Sequence, residues 1–371
     1  MTSHEIFTPS SLRVVLQAIQ EAKSEQDCAH SLVSAATLLQ DAILRGQSPE
    51  SVGQALESCP ESLAGLLHET LSRAVDFHVT EEGTLGLWLL PVIVEGSQVP
   101  AVLPLAKSLD RLKVTAAINT QLSLGDDESG WAYMLPALYA SPCLRNADIG
   151  ELIRLPRLAR ETIRGQGPAA MLRPDGADES HSGTIAMFLP LVVKHPANRV
   201  PNLPAESERV VHFLTRLLHA SLPDAEALNV QVATRPHPFS VALRVGDHMA
   251  LERRVRKNTT ALSEKTGVAL NGMNALVAPY AVAQCNGDIS VGVSLTSRMT
   301  GQPLATMAIP VESATGEAEA ALVSSVLRSL GMEHVHLREE AIGTFACQHC
   351  GGMQFAMPAH QDGYTPSGTL Q

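Results

Sequence analysis

The sequence has few aromatic residues and too few basic ones to balance its acidic residues. Only 4% of its 371 residues are Phe, Trp or Tyr, so the closely spaced exposed rings on which single-stranded nucleic acid stacks are scarce. Its 27 Lys and Arg are outnumbered by 38 Asp and Glu, which leaves a formal net charge of −11 at pH 7. A protein that coats nucleic acid through a generally basic surface is therefore excluded.

Long apolar runs are also missing. The two longest, 85–94 and 185–193, are about half of the roughly 20 residues that a membrane-spanning helix needs, and each contains a proline. We expect both to be buried strands. The first fifteen residues lack the basic and apolar segments of a secretory signal. Only six cysteines occur, four of them scattered at Cys28, Cys59, Cys143 and Cys285, which predicts a soluble protein of the reducing cytoplasm.

What is present predicts a mixed α+β, or α/β, fold. Helical spacing of apolar residues runs through 1–80, which predicts a helical module. After residue 82, β-branched or leucine-rich runs alternate with helical stretches. Near the C-terminus, runs at 289–295 and 304–311 around a polar turn predict a β-hairpin, followed by a helix over 317–330 and a short strand over 335–337.

The central part of the sequence repeats a pattern. Residues 87–94, followed by Val99-Pro100, are echoed at 186–193, followed by Val200-Pro201. After each comes an amphipathic helix, a strand-like run (132–139 and 230–245) and a further helix (149–164 and 247–265). Chance recurrence in a chain with 23 prolines is the alternative. The order predicts duplicated β-α-β-α units over 83–182 and 183–270, then a C-terminal part over 271–360 and a flexible tail over 361–371.

The sharpest local motif is a Cys-x-x-Cys pair, Cys347 and Cys350, followed by Gly351. Two thiolates at this spacing point at one ion, and the glycine relieves crowding in the turn, which predicts a structural zinc knuckle. A closed site needs four ligands, and the candidates for the others are His360, His334, His336 and Cys285. An unmetallated reduced pair and a redox dithiol remain alternatives.

A predicted helix over 247–265 concentrates positive charge. Leu251, Val255 and Leu262 share one face, and the basic residues project from the other: Arg253, Arg254, Arg256 and Lys257. Such a patch could bind phosphate or an acidic partner. A solvated face partly balanced by acidic neighbours is the alternative.

No familiar catalytic signature occurs in the sequence, neither a phosphate-binding loop nor a dinucleotide, zinc-protease or serine-hydrolase motif. We therefore predict an interaction or regulatory protein, adaptor-like, with a protein partner and a zinc-stabilised C-terminal element. One alternative is a nucleic-acid-associated accessory protein that uses the basic helix. The other is an enzyme with a pocket between the repeated units.

The arrangement also resembles a protein family of unknown function found mainly in β-proteobacteria. The resemblance rests on the helical N-terminal region, the run 90–94 leading to Val99-Pro100, the run 135–139, and Phe345 with the Cys347, Cys350 and Gly351 element. The resemblance implies the same architecture. Because the function of the family is unknown, it implies no activity for this protein.

Overall fold

A computed structural model of the chain divides into two compact units, Met1–Ala250 and Leu251–Gln371. The residues that it describes are 14, 16–18, 21, 25–44, 64–80, 83–105, 131–165, 171–172, 176, 178–195, 212, 215–218, 220, 222, 228–281, 289–310, 316–338, 344–346 and 353–355. The predicted tail over 361–371 lies outside them.

The first unit combines helices with one large sheet. Its helices are α1 (Glu25–Leu44), α2 (Ala64–Asp76), α3 (Ser141–Arg145), α4 (Ile149–Ile163) and α5 (Phe239–Thr266), the last of which continues into the second unit. Its strands are β1 (Phe77–Thr80), β2 (Gly83–Pro100), β3 (Val102–Pro104), β4 (Trp131–Met134), β5 (Ala137–Ala140), β6 (Ser180–His195), β7 (Asn229–Val232) and β8 (His237–Pro238).

The two long strands β2 and β6 pair antiparallel at the centre of this sheet. Both of their faces are buried, so alternate residues enter different cores: Leu87 and Leu89 lie in one, Trp88 and Leu90 in the other. This is why the sequence shows unbroken apolar runs here instead of an alternating pattern. The prediction that 85–94 and 185–193 are buried strands is confirmed.

The short strands pair with the long ones reciprocally. Leu90 pairs with Leu189, its counterpart in the repeated pattern 99 positions later (189 − 90). Strand β4 pairs with β6 through Trp131 and Lys194, and β7 pairs with β2 through Asn229 and Glu95. Strands β4 and β5, which follow β2, therefore pair with β6, and β7 and β8, which follow β6, pair with β2. Two-fold-related halves produce this pattern; the duplication and its ranges, 83–182 and 183–270, stay predictions.

The predicted strand-like run over 230–245 is wrong in its second half. Strand pairing ends at Pro238, and α5 begins at Phe239, not at 247. Pro238 lacks a side chain that could cap the helix. Asp76, at the end of α2, supplies the cap instead, because its Oδ1 accepts the backbone N–H of Ser240 at 2.9 Å. Because the capping residue lies 164 positions away in the sequence, no local sequence signal marks the start of this helix.

The second unit is a four-stranded sheet with helices on one face. Its strands are β9 (Met273–Ala281), β10 (Ile289–Ser297), β11 (Pro303–Pro310) and β12 (His334–Leu337), in the order β11-β10-β9-β12. Residues of α5 and of α6 (Glu317–Ser329), such as Val255 and Val323, share a core with Val277 and Val293 of the sheet. The predicted hairpin, helix and short strand are all confirmed.

A separate two-stranded hairpin follows, formed by β13 (Thr344–Ala346) and β14 (Met353–Phe355). The architecture as a whole is mixed α+β, as predicted. None of the helices in the described ranges has the length and apolar character to cross a membrane.

Candidate interaction surface and metal site

Strand β11 forms one edge of the second unit's sheet. It pairs with β10 through seven residue pairs, from Ser290 with Pro310 to Thr296 with Pro303. In the described part of the chain, β10 is the only strand paired with β11. Alternate residues of an edge strand direct their N–H and C=O groups away from the sheet, so this edge offers backbone groups to another strand.

This edge lacks the charges with which natural sheets usually prevent such pairing. Residues 303–310 contain no charged side chain, and prolines occur only at the two ends. A bulge lies near one end, where the register shifts between Leu295 and Thr296 of β10. Lysines, inward-pointing charges and central prolines are the common protections of an edge. The central residues of β11 therefore remain suited to strand addition.

The two faces of β11 differ. Ile309 is buried in the core of the second unit, and Met307 and Leu304 pack against that core while remaining partly exposed. Thr306 and Ala308 are exposed on the opposite face. An added strand would cover the partly exposed apolar side chains and leave Thr306 and Ala308 at the surface of a wider sheet.

The turn between β10 and β11 is fixed by hydrogen bonds. The N–H of Ser297 donates to the carbonyl of Gln302 at 2.8 Å, and the N–H of Arg298 donates to the carbonyl of Gly272 at 2.8 Å. The guanidinium of Arg298 also donates to the carboxylate of Glu333 at 3.1 Å. Met299, at the tip, is 94% exposed. The hairpin therefore holds β11 in place while its tip projects into solvent.

Two of the predicted metal ligands lie side by side on β12. His334 and His336 flank the buried Val335, so they share the face opposite the core. Positions two apart in a strand are separated by about 7 Å, a span that two imidazoles can bridge through one ion held at about 2 Å from each nitrogen. The spacing of the two histidines is therefore compatible with binding to a single ion.

Two further predicted ligands, Cys347 and Cys350, lie in the sequence between β13 and β14. Ala346 pairs with Met353, so Cys347 and Cys350 fall within the connection of an antiparallel hairpin, the setting that the zinc-knuckle interpretation requires. The two cysteines, Cys285 and His360 lie outside the described residues. Within the described residues, no three metal-ligating side chains meet.

The basic residues predicted on a helix all lie on α5. Leu251 and Val255 are buried in the core, and Leu262 packs against it, as their predicted position on one face of the helix implies. Arg256 donates to Glu252 at 2.9 Å and to the Ser329 hydroxyl at 2.9 Å. Arg253, Arg254 and Lys257 also have interactions within the chain. At least part of the patch therefore serves to anchor α5 against α6.

A polar cluster that the sequence did not reveal joins α3 to α5. The buried Ser141 hydroxyl donates to Asp247 Oδ2 at 2.9 Å, and Arg145 donates to the same oxygen at 2.5 Å. The Arg145 Nε also reaches the Ser141 hydroxyl at 3.3 Å. Separations of 106 and 102 positions hide these contacts from sequence patterns. With Asp247 accepting both donors, the cluster fixes the two helices together.

Among the described residues, three buried ionisable groups have shifted pKa values, and burial raises that of Tyr139 to about 12. Burial raises the pKa of Asp76, although hydrogen bonds from the Ser240 hydroxyl and N–H and the charge of Arg73 oppose the shift. Burial, with a smaller effect of Glu179, raises the pKa of the Cys143 thiol. A buried thiol with a raised pKa is a poor nucleophile, which argues against Cys143 as a reactive group.

Comparison with protein-family models, curated proteins and solved structures found no match.

Proposed function

We propose that the protein is a cytoplasmic, adaptor-like interaction protein that binds a protein partner by strand addition at β11. The observation that carries the proposal is this uncharged edge, paired on one side only in the described part of the chain. Strand addition gains affinity from main-chain hydrogen bonds and specificity from alternate side chains of the added segment. Met307 and Leu304 supply the apolar contacts for that segment.

Two side-chain arrangements, one in each unit, support protein binding over the enzymatic and nucleic-acid alternatives. The buried Ser141 has a carboxylate neighbour, Asp247, but shares it with Arg145, and the cluster links two helices. Arg256, central to the alternative nucleic-acid function, is held by Glu252 and Ser329. We also propose that the chain belongs to the β-proteobacterial family that it resembles. A cytoplasmic bacterial protein would meet its partners in a reducing compartment, which agrees with the few cysteines of this sequence.

Site-specific photo-crosslinking tests the binding surface. A benzoylphenylalanine replaces exposed Ala308 on β11, and a control chain carries it at Met299, which is 94% exposed in the same hairpin but off the strand edge. In cells of the native host, we expect a discrete crosslinked protein product from position 308 and little from position 299. Equal yields from both positions would refute strand addition at β11.

We also propose a structural zinc ion held by Cys347, Cys350, His334 and His336. The support is the pairing of Ala346 with Met353, which encloses the two cysteines, and the shared face of the two histidines. Cys2His2 is a common closed zinc set, and such sites contribute folding free energy without catalysing a reaction. His360 and Cys285 remain the alternative ligands.

Elemental analysis of the purified chain tests this site. We expect one zinc ion per chain, lost in Cys347→Ser and in Cys350→Ser, and bound more weakly in His334→Ala and His336→Ala. His212→Ala is the matched control, because that histidine is exposed and lies in the first unit. Full zinc content in both histidine variants would instead favour His360 or Cys285. Absence of zinc after purification from zinc-supplemented cells would refute the metal site.

A further inference from the structure

We infer that the strand added at β11 is β11 of a second copy of this chain, so that two second-unit sheets join into one. The inference rests on the proposed function, because it names the occupant of the same edge. Three properties of β11 support it: its charge, its symmetry and its length.

The charge of the hairpin favours self-association at this place. The chain carries a net charge of −11, so two copies repel each other overall. Residues 289–310, which form β10, the turn and β11, contain a single charged side chain, Arg298. Its guanidinium is paired with Glu333 at 3.1 Å. Two copies that meet along this hairpin therefore bring together nearly neutral surfaces.

The symmetry of an antiparallel strand pair matches a homodimer. A two-fold axis perpendicular to the sheet, passing beside Thr306 or Met307, places residues of the same face opposite one another. The core side of one copy, with Met307 and Ile309, then continues into the core side of the other. The exposed side brings Thr306 close to its own counterpart. Each residue meets an uncharged neighbour in either register.

The prolines set the length of the paired segment. Pro303 and Pro310 lack an N–H group, and both registers place them at or next to the ends of the contact, where a missing donor does least harm. The six residues between them all have N–H groups. Because this short strand contact alone buries less than the ~1,200 Å² of a standard interface, we expect a reversible, concentration-dependent dimer.

Charge variants of Thr306 test the inference on the purified full chain by analytical ultracentrifugation. We expect Thr306→Lys and Thr306→Glu each to weaken the dimer several-fold, because like charges then face each other across the axis. An equimolar mixture of the two variants should form heterodimers more readily than either variant alone forms homodimers. Met299→Lys adds the same charge at the exposed tip and should leave dimerisation unchanged. Circular dichroism checks that each variant is folded.

The outcomes separate this inference from the proposed function. A purified chain that stays monomeric at every concentration, or a dimer that Thr306→Lys leaves intact, overturns the inference. If position 308 then still crosslinks to a protein of another mass, strand addition stands with a different partner. If position 308 crosslinks no more than position 299, the proposed function fails as well. A crosslinked product of twice the chain mass supports both.

Discussion

The carboxylate of Asp76 accepts both the backbone N–H and the hydroxyl of Ser240, at 2.9 and 2.6 Å. The contact joins the C-terminal end of α2 to the first turn of α5, and Asp76 is 6% exposed. A carboxylate at a helix N-terminus satisfies an N–H group that has no intrahelical partner and stabilises the positive end of the helix dipole. The start of α5 therefore depends on a residue of another helix.

Removing this cap should destabilise the first unit. We expect Asp76→Ala to lower the free energy of unfolding by about 1–2 kcal/mol, as measured by urea denaturation, because the N–H of Ser240 loses its acceptor. Asp76→Asn keeps an acceptor oxygen and should lose less. An alanine variant as stable as the parent chain would show that α5 begins without this cap.

The pH dependence of stability should also report Asp76. Burial raises its pKa in the folded protein above the ordinary value of 3.8, so the folded state binds the proton more tightly than the unfolded state does. This contribution to stability is present below 3.8 and is lost as the pH rises through the folded pKa. Measured between those values, the stability of Asp76→Asn relative to the parent should rise with pH. A constant difference across that window would contradict the shift.

Gly246 of α5 leaves no room for a side chain. A Cβ at this position would come within 2.5 Å of Cε1 and 2.6 Å of Cζ of Phe188, which is fully buried. We expect Gly246→Ala to destabilise the protein by about 1–3 kcal/mol because overpacking outweighs the gain of about 1 kcal/mol in helix propensity. Phe188→Leu should offset part of the loss in the double variant, which a double-mutant cycle would measure as non-additivity.

Two fully buried threonines provide a matched pair. The Thr259 hydroxyl on α5 has no hydrogen-bond partner among the described residues, whereas the Thr70 hydroxyl on α2 donates to the carbonyl of Leu66 at 2.8 Å. We expect Thr259→Val to raise the free energy of unfolding by about 1 kcal/mol and Thr70→Val to lower it by a similar amount. Thermal and urea denaturation would check the signs. Equal losses in both variants would mean that packing, not hydrogen bonding, decides.

The parts of the fold that could be predicted are those determined by residues close together in the sequence. The hairpin of β10 and β11 and the helix before Gly331 follow from alternation, turn residues and helical spacing, and all were confirmed. The start of α5 was not predictable because its cap, Asp76, lies 164 positions away. The pairing of Leu90 with Leu189 was hidden for the same reason, since an apolar run shows burial but not the identity of its neighbour.

The candidate sites also have parts that the sequence predicted and parts that it did not. The sequence identified His334 and His336 as ligand candidates, and their placement on one face of β12 follows from strand alternation. It did not identify β11 as a binding surface, because an edge strand and a central strand of similar composition differ only in what lies beside them. The Ser141 and Asp247 contact likewise appears only in three dimensions.

The reciprocal pairing of the first unit determines when that unit can fold during synthesis. Strands β4 and β5 pair with β6, so residues 131–140 have no long strand to join until residues 180–195 have left the ribosome. Strand β2 must wait longer for β7 and β8, which end at Pro238. A fragment that ends before β6 therefore exposes unpaired apolar strands, which makes an early stop in translation a source of aggregation and not of a functional half.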